Sequence, residues 1–140
     1  MIRYLLDTCV VSEFSKPLPN SGVDRWLAAH DRESALSVLV VGEARCGIEA
    51  LAPGARRDGL RAWLQRLEGN FSQRILPVDQ AVADYWATMR AARRGLGRTI
   101  PTVDGLMVAT AWVHGLTVVT CNRADMHDCG VPILDPWQAP

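Results

Sequence analysis

Lysine is almost absent from this 140-residue chain, and the only one, Lys16, lies in an early loop. That excludes a receiver-like phosphate sensor, which gathers acids at strand ends but needs a lysine at a late one. No apolar run approaches the length needed to cross a bilayer, and the amino terminus lacks a secretory signal's basic region, long apolar stretch and cleavage site. A cytoplasmic protein without membrane attachment is expected. The four cysteines, Cys9, Cys46, Cys121 and Cys129, form no CxxC pair and no dense framework, so reduced thiols are the default. Cys121, His127 and Cys129 match no common spacing of a structural zinc site. There is no net charge either: 15 basic and 15 acidic residues cancel. A protein that wraps nucleic acid by bulk charge is therefore excluded, and any such contact must be local. No repeat, linker or low-complexity segment is visible. The expectation is a single domain over residues 1–140, large enough to bury a core without disulfides or metal.

What the chain does contain is organised around Ile2 to Asp7. This short apolar run reads as a strand, stops on a carboxylate, and leads at once into a helix from Thr8 to Phe14. In open sheets with helices on both faces, ligands gather beyond the carboxyl ends of strands. Asp7 would sit there, although a carboxylate at that point also serves as a helix cap.

The pattern then repeats. Ala35 to Ser37 ends a second strand, and Ser37 is placed to cap a helix from Val38 to about Leu51. Glu43 flanks that helix's buried stripe of Val40, Ala44, Gly47, Ile48 and Leu51, so it can point into the cleft that holds Asp7. After the break at Pro53-Gly54, Leu60, Trp63, Leu64, Leu67 and Phe71 mark another amphipathic helix. Arg74 to Val78 is a brief third strand, and Asp79 caps a helix carrying Val82, Tyr85, Trp86 and Met89. This helix runs out through Arg90, Arg93, Arg94 and Arg98, a basic patch able to contact phosphates.

The spacing predicts a buried helix from Val103 to His114, apolar nearly all round, ended by Gly115 and opened by Thr102 as its cap. Asp104 stands in its first turn, where the helix dipole favours negative charge. With Thr102 supplying the capping oxygen, Asp104 is free for another partner. Leu116 to Thr120 is the clearest strand, and the polar segment Asn122 to Asp125 follows it. Val131 to Leu134 is a last strand, placed at an edge because Pro132 cannot donate to a ladder. Strands alternating with helices imply a three-layer α/β/α domain with a central, mainly parallel sheet of four to five strands.

Asp7, Glu43 and Asp104 thus each lie at a strand end or in a helix's opening turns, and Asn122 to Asp125 adds a further oxygen cluster. No lysine, histidine or serine accompanies them. Such a knot of carboxylate and amide oxygens suits Mg²⁺ or Mn²⁺, which prefer hard oxygen ligands and keep several waters. Bound there, a cation lowers the pKa of a coordinated water and stabilises charge on a leaving oxygen.

At these residues the chain resembles the PIN-domain ribonucleases, in particular the VapC toxin branch with its close relative FitB. The resemblance runs through Leu5-Leu6-Asp7-Thr8, Val11-Ser12-Glu13, Leu36-Ser37, Val41-Gly42-Glu43, Asp104 with Leu106 and Ala109-Thr110-Ala111, Thr120-Cys121-Asn122, and Val131 to Trp137. It implies a metal-dependent endoribonuclease toxin of a type II toxin–antitoxin system, neutralised by a cognate antitoxin and forming a homodimer. A larger assembly on DNA through the antitoxin is a further implication. Carried over by position, Asp7, Glu43 and Asp104 match the family's metal-binding acids, and Thr8 and Thr120 match hydroxyl residues lining the site. The fourth ligand falls on Asn122 or on Asp125. Cys9 departs from the asparagine usual after the Asp-Thr pair. The alternative function is a catalytically weak binding module of the same fold, acting through its antitoxin and operator.

Overall fold

The computed structural model describes residues 1–138; Ala139 and Pro140, the end of the expected domain, lie outside the described residues. Five strands, β1 (Tyr4–Leu6), β2 (Ser34–Ser37), β3 (Ile75–Leu76), β4 (Thr117–Val119) and β5 (Ile133–Leu134), form one sheet in the order β3-β2-β1-β4-β5. All four pairings are parallel. A parallel strand is covered on both faces, so its residues are apolar without alternation. β1 shows this, with Tyr4, Leu5 and Leu6 all buried at the centre of the sheet.

Between the strands run α1 (Thr8–Glu13), α2 (Ser21–His30), α3 (Val38–Glu49), α4 (Ala55–Asn70), α5 (Gln80–Gly95), α6 (Thr102–His114) and α7 (Arg123–Met126). A three-layer α/β/α arrangement results, as the alternation of patterns predicts. Several helix starts fall where capping oxygens are available. Ser37 Oγ accepts from the Leu39 amide at 3.1 Å to open α3, and Asp79 Oδ1 accepts from the Val82 amide at 3.0 Å to open α5. Gly115 closes α6 in the left-handed region at φ 66°, which glycine adopts without a Cβ clash.

Three expectations are corrected. Thr102 does not cap α6: it is the first helical residue, Pro101 stands at the cap position, and no side chain caps the helix. The Thr102 hydroxyl instead accepts from Arg90 Nη1 at 2.9 Å. Nor is α6 buried all round, because Trp112 is 52% exposed and stacks on Tyr85 of α5 with ring centroids 4.1 Å apart. The edge strand β5 is only Ile133–Leu134, although the Pro132 carbonyl still accepts from the Val118 amide. The polar segment from Asn122 to Asp125 winds largely into the short helix α7.

One close approach sets the position of α6. A Cβ on Gly105 would lie 3.1 Å from the Trp86 ring, so the missing side chain lets α5 pack directly on the first turn of α6. That turn carries Asp104.

Candidate functional site

The register of the sheet brings the first acid to its partner. Leu6 pairs with Val119 across β1 and β4, so the residues that follow, Asp7 and Thr120, leave adjacent strands side by side. Thr120 Oγ1 donates to Asp7 Oδ2 at 2.7 Å, and the Thr8 amide donates to Oδ1 at 2.8 Å. Asp7 is therefore the cap of α1 and something more, since only one of its oxygens serves the helix. Its side chain is buried, with 7% of the residue exposed. A carboxylate so placed requires hydrogen bonds, and these two supply them.

The network spreads from there. Thr8 Oγ1 donates to Glu43 Oε1 at 2.7 Å, tying α3 to the start of α1. Thr120 Oγ1 accepts from the Asn122 amide at 2.9 Å, and Asn122 Nδ2 donates to Asp104 Oδ2 at 3.3 Å. Glu43, Thr8, Asp7, Thr120, Asn122 and Asp104 thus form one connected cluster drawn from α3, α1, β1, β4 and α6. Burial, followed by the charges of Asp7, Asp125 and Glu43, pushes the Asp104 carboxyl above the usual carboxylate range. Asp125, exposed on α7, thereby acts on the cluster through its charge.

Among the described residues, Asp7, Glu43, Asp104 and Asp125 take part in no salt bridge. The ion pairs lie elsewhere, as between Arg61 and Glu49 or Arg45 and Glu68. Also among the described residues, no three His, Cys, Asp or Glu side chains draw together as a chelating group. Mg²⁺ does not demand one, because it binds through one or two carboxylates and keeps several waters. The donors present fit a hard cation: carboxylate, amide and hydroxyl oxygens.

Thr120 is the hinge of this network, donating to Asp7 and accepting from Asn122. Replacing it by valine keeps the shape and removes both bonds. The expected result is stability lower by about 1–3 kcal/mol, read by urea unfolding.

Two features escaped the sequence reading: the anchoring role of Glu13 and the meeting of Cys9 with Cys121. Glu13, at the end of α1, is buried; it accepts from the Asn20 amide at 3.0 Å and pairs with Lys16, and the hydrogen bond from Lys16 is the main cause that lowers its pKa. It pins the loop after α1, and its place in the Val-Ser-Glu fragment was the available signal. Cys9 touches the cluster through Sγ, 3.6 Å from Thr120 Oγ1, and accepts from the Cys121 amide at 3.1 Å. Burial, aided by the Cys121 side chain, pushes the Cys9 thiol up to about 12. Only the strand register shows that Cys9 and Cys121 meet.

The arginines at the end of α5 gather as expected. Arg90, Arg93, Arg94 and Arg98, with Thr99 and Ile100, line a small pocket of about 30 Å³. Arg90 bonds Thr102 on the first turn of α6, two residues before Asp104, and lies 5.3 Å over the Trp86 ring. Arg93 Nε is buried without a partner among the described residues, and Arg98 stands 4.0 Å from Asp128. On another face, Trp63 lines two clefts. One of about 760 Å³ includes Phe14, Leu67 and Phe71, and one of about 270 Å³ reaches Thr8 and Glu43.

A parallel sheet flanked by helices, with unpaired acids linked at the carboxyl ends of its central strands, defines an α/β domain built around an oxygen-rich site. The PIN domain family matches residues 4–128, and the chain belongs to that family. It is 37% identical over 138 residues to the toxin FitB of Neisseria gonorrhoeae, covering 95% of this chain and 97% of that protein. It is 34% identical over 139 residues to the VapC ribonuclease Y4jK of Sinorhizobium fredii, covering 96% and 97%. The solved structure of FitAB bound to an IR36 DNA fragment superposes with a TM-score of 0.91 at 33% identity, covering 98% of this chain and 97% of that one.

Proposed function

We propose that this chain is a metal-dependent endoribonuclease toxin of a type II toxin–antitoxin system, working as one domain over residues 1–140. The observation that carries the reading is the set of four acids without ion-pair partners among the described residues, three of them joined by hydrogen bonds. Asp104 feels the charges of Asp7, Asp125 and Glu43, a repulsion that a bound cation would relieve. The relatives named as a toxin and as a VapC ribonuclease support the same reading.

Asp7, Glu43 and Asp104, with Asn122 or Asp125, would hold Mg²⁺ or Mn²⁺. When bound, such an ion supplies an activated water and stabilises charge on the leaving oxygen of an RNA phosphodiester. The protein's own part is positional. Thr120 and Thr8 fix the Asp7 carboxylate, Thr8 turns Glu43 toward it, and Asn122 holds Asp104. The test is cleavage of RNA by the purified chain with Mg²⁺ and Mn²⁺. The alternative, a binding module without cleavage, draws on one observation: Asn122 turns its amide nitrogen toward Asp104, so the fourth position presents no charge there. Calorimetric titration with Mn²⁺ separates the two, since micromolar binding is expected of the nuclease and none of the module.

The arginine pocket is proposed to hold a phosphate of the RNA beside the one being cut. Replacing Arg93 and Arg94 by alanine is expected to weaken RNA binding equally for all sequences and to lower the salt slope by about 1 per arginine. Binding measured at several salt concentrations checks this. The Trp63 clefts suit an antitoxin helix laying down its apolar face, with DNA reached through that antitoxin. FitAB bound to DNA is the precedent among the structural neighbours. A homodimer is proposed as the free form, and light scattering that gave a monomer would refute it.

A further inference from the structure

We infer that Cys9 and Cys121 join in an intramolecular disulfide when the protein meets a peroxide, and that the bond shuts the acid cluster down. The shutdown rests on the ribonuclease reading; the bond does not. Cys9 lies in the first turn of α1, half-buried, while Cys121 follows β4 and is exposed. They are 112 residues apart in sequence, yet the Cys121 amide lies 3.1 Å from Cys9 Sγ. A disulfide sulfur sits about 2.05 Å from its partner sulfur, which is two bonds from the partner's Cα. Cys9 Sγ thus lies against the backbone of the residue whose side chain would carry the second sulfur. The other two cysteines are set apart: Cys129 is buried and Cys46 lies exposed on α3.

Neither thiol has a part in the proposed chemistry, because soft sulfur is a poor ligand for Mg²⁺ or Mn²⁺. Exposed Cys121 meets the oxidant first. Its sulfur attacks one peroxide oxygen, the O–O bond breaks, and a sulfenic acid and one water result. Cys9 sulfur then attacks the sulfenic sulfur, the S–O bond breaks, and hydroxide leaves with the Cys9 proton as a second water. Two thiols lose two electrons in all, and the peroxide gains them.

The consequence follows from what flanks Cys121. Thr120 donates to Asp7 and Asn122 donates to Asp104. Drawing Cys9 Sγ into a bond with the Cys121 sulfur removes its hydrogen bond from the Cys121 amide and its contact with Thr120 Oγ1, the hydroxyl that orients Asp7. RNA cleavage is expected to fall at least about tenfold and to return with a thiol reductant.

The experiment uses the full chain, reduced, freed of reductant and treated with hydrogen peroxide. Thiol alkylation and peptide mass mapping should show two thiols lost and a Cys9–Cys121 link, present in Cys46→Ser and absent in Cys121→Ser. Closing so long a loop should also raise the melting temperature, by about 5 °C or more. The bond is overturned if Cys121 stops at sulfinic acid with Cys9 still alkylatable, if other cysteines pair, or if all thiols stay free. If the link forms and cleavage persists unchanged, the shutdown is overturned. If the link forms and no cleavage exists in either state, the ribonuclease reading fails while the disulfide stands.

Discussion

Replacing Asp7 by asparagine is expected to lower RNA cleavage by at least about 100-fold while leaving the fold in place. Asparagine keeps one oxygen able to accept from the Thr8 amide, so the start of α1 stays capped. What it loses is the second anionic oxygen, which Thr120 now orients at 2.7 Å. The charge lost sits between the central strands, where a cation bound by Glu43 and Asp104 would need it. Single-turnover cleavage, beside circular dichroism and a melting curve, reads both halves of this expectation. Undiminished cleavage in Asp7→Asn would remove Asp7 from the site.

Asp104→Asn should separate stability from activity. Burial first, then the charges of Asp7, Asp125 and Glu43, raise the Asp104 pKa in the folded state above its ordinary 3.8. A raised carboxyl contributes stability that is fully present below the unfolded value and lost as pH rises through the folded one. At neutral pH the charged Asp104 therefore works against the metal-free fold. Asparagine carries no charge, so the metal-free variant should melt higher than the parent at pH 7. The advantage should vanish as pH falls toward 4. Added Mg²⁺ should raise the melting temperature of the parent and not that of the variant, because a ligand that binds the native state stabilises it. Melting curves across pH, with and without Mg²⁺, check all three. Cleavage by the variant should be as low as that of Asp7→Asn.

Much of this arrangement is legible in the residues, for local reasons. Ser37 and Asp79 mark their helix starts because a capping oxygen is a short-range device. Ile2 to Asp7 reads as a strand because it is a short apolar run, and its middle, Tyr4 to Leu6, is the buried strand β1. The acids stand out because strand ends and first helix turns are where a parallel fold collects its ligands. What fails is equally specific. Thr102 looks like a cap by residue type, but Arg90 from a neighbouring helix claims its hydroxyl, and no local pattern records that. Trp112 reads as buried on an apolar helix, yet it faces out and stacks on Tyr85. Trp86, read only as part of an amphipathic helix, packs on the α6 backbone at Gly105, and no local pattern records that contact. The link between Asp7 and Thr120, like that between Cys9 and Cys121, depends on the register of β1 with β4 across more than a hundred residues. None of the described helices is long and apolar enough to cross a bilayer.

The central claim is that the acid cluster works through a divalent cation on RNA. The most direct measurement is RNA cleavage by the purified, antitoxin-free chain, first in excess chelator and then with Mg²⁺ or Mn²⁺ restored. Cleavage absent in chelator and recovered with either ion is the expected result. Cleavage that continues in chelator, or that never appears with either ion, would contradict it.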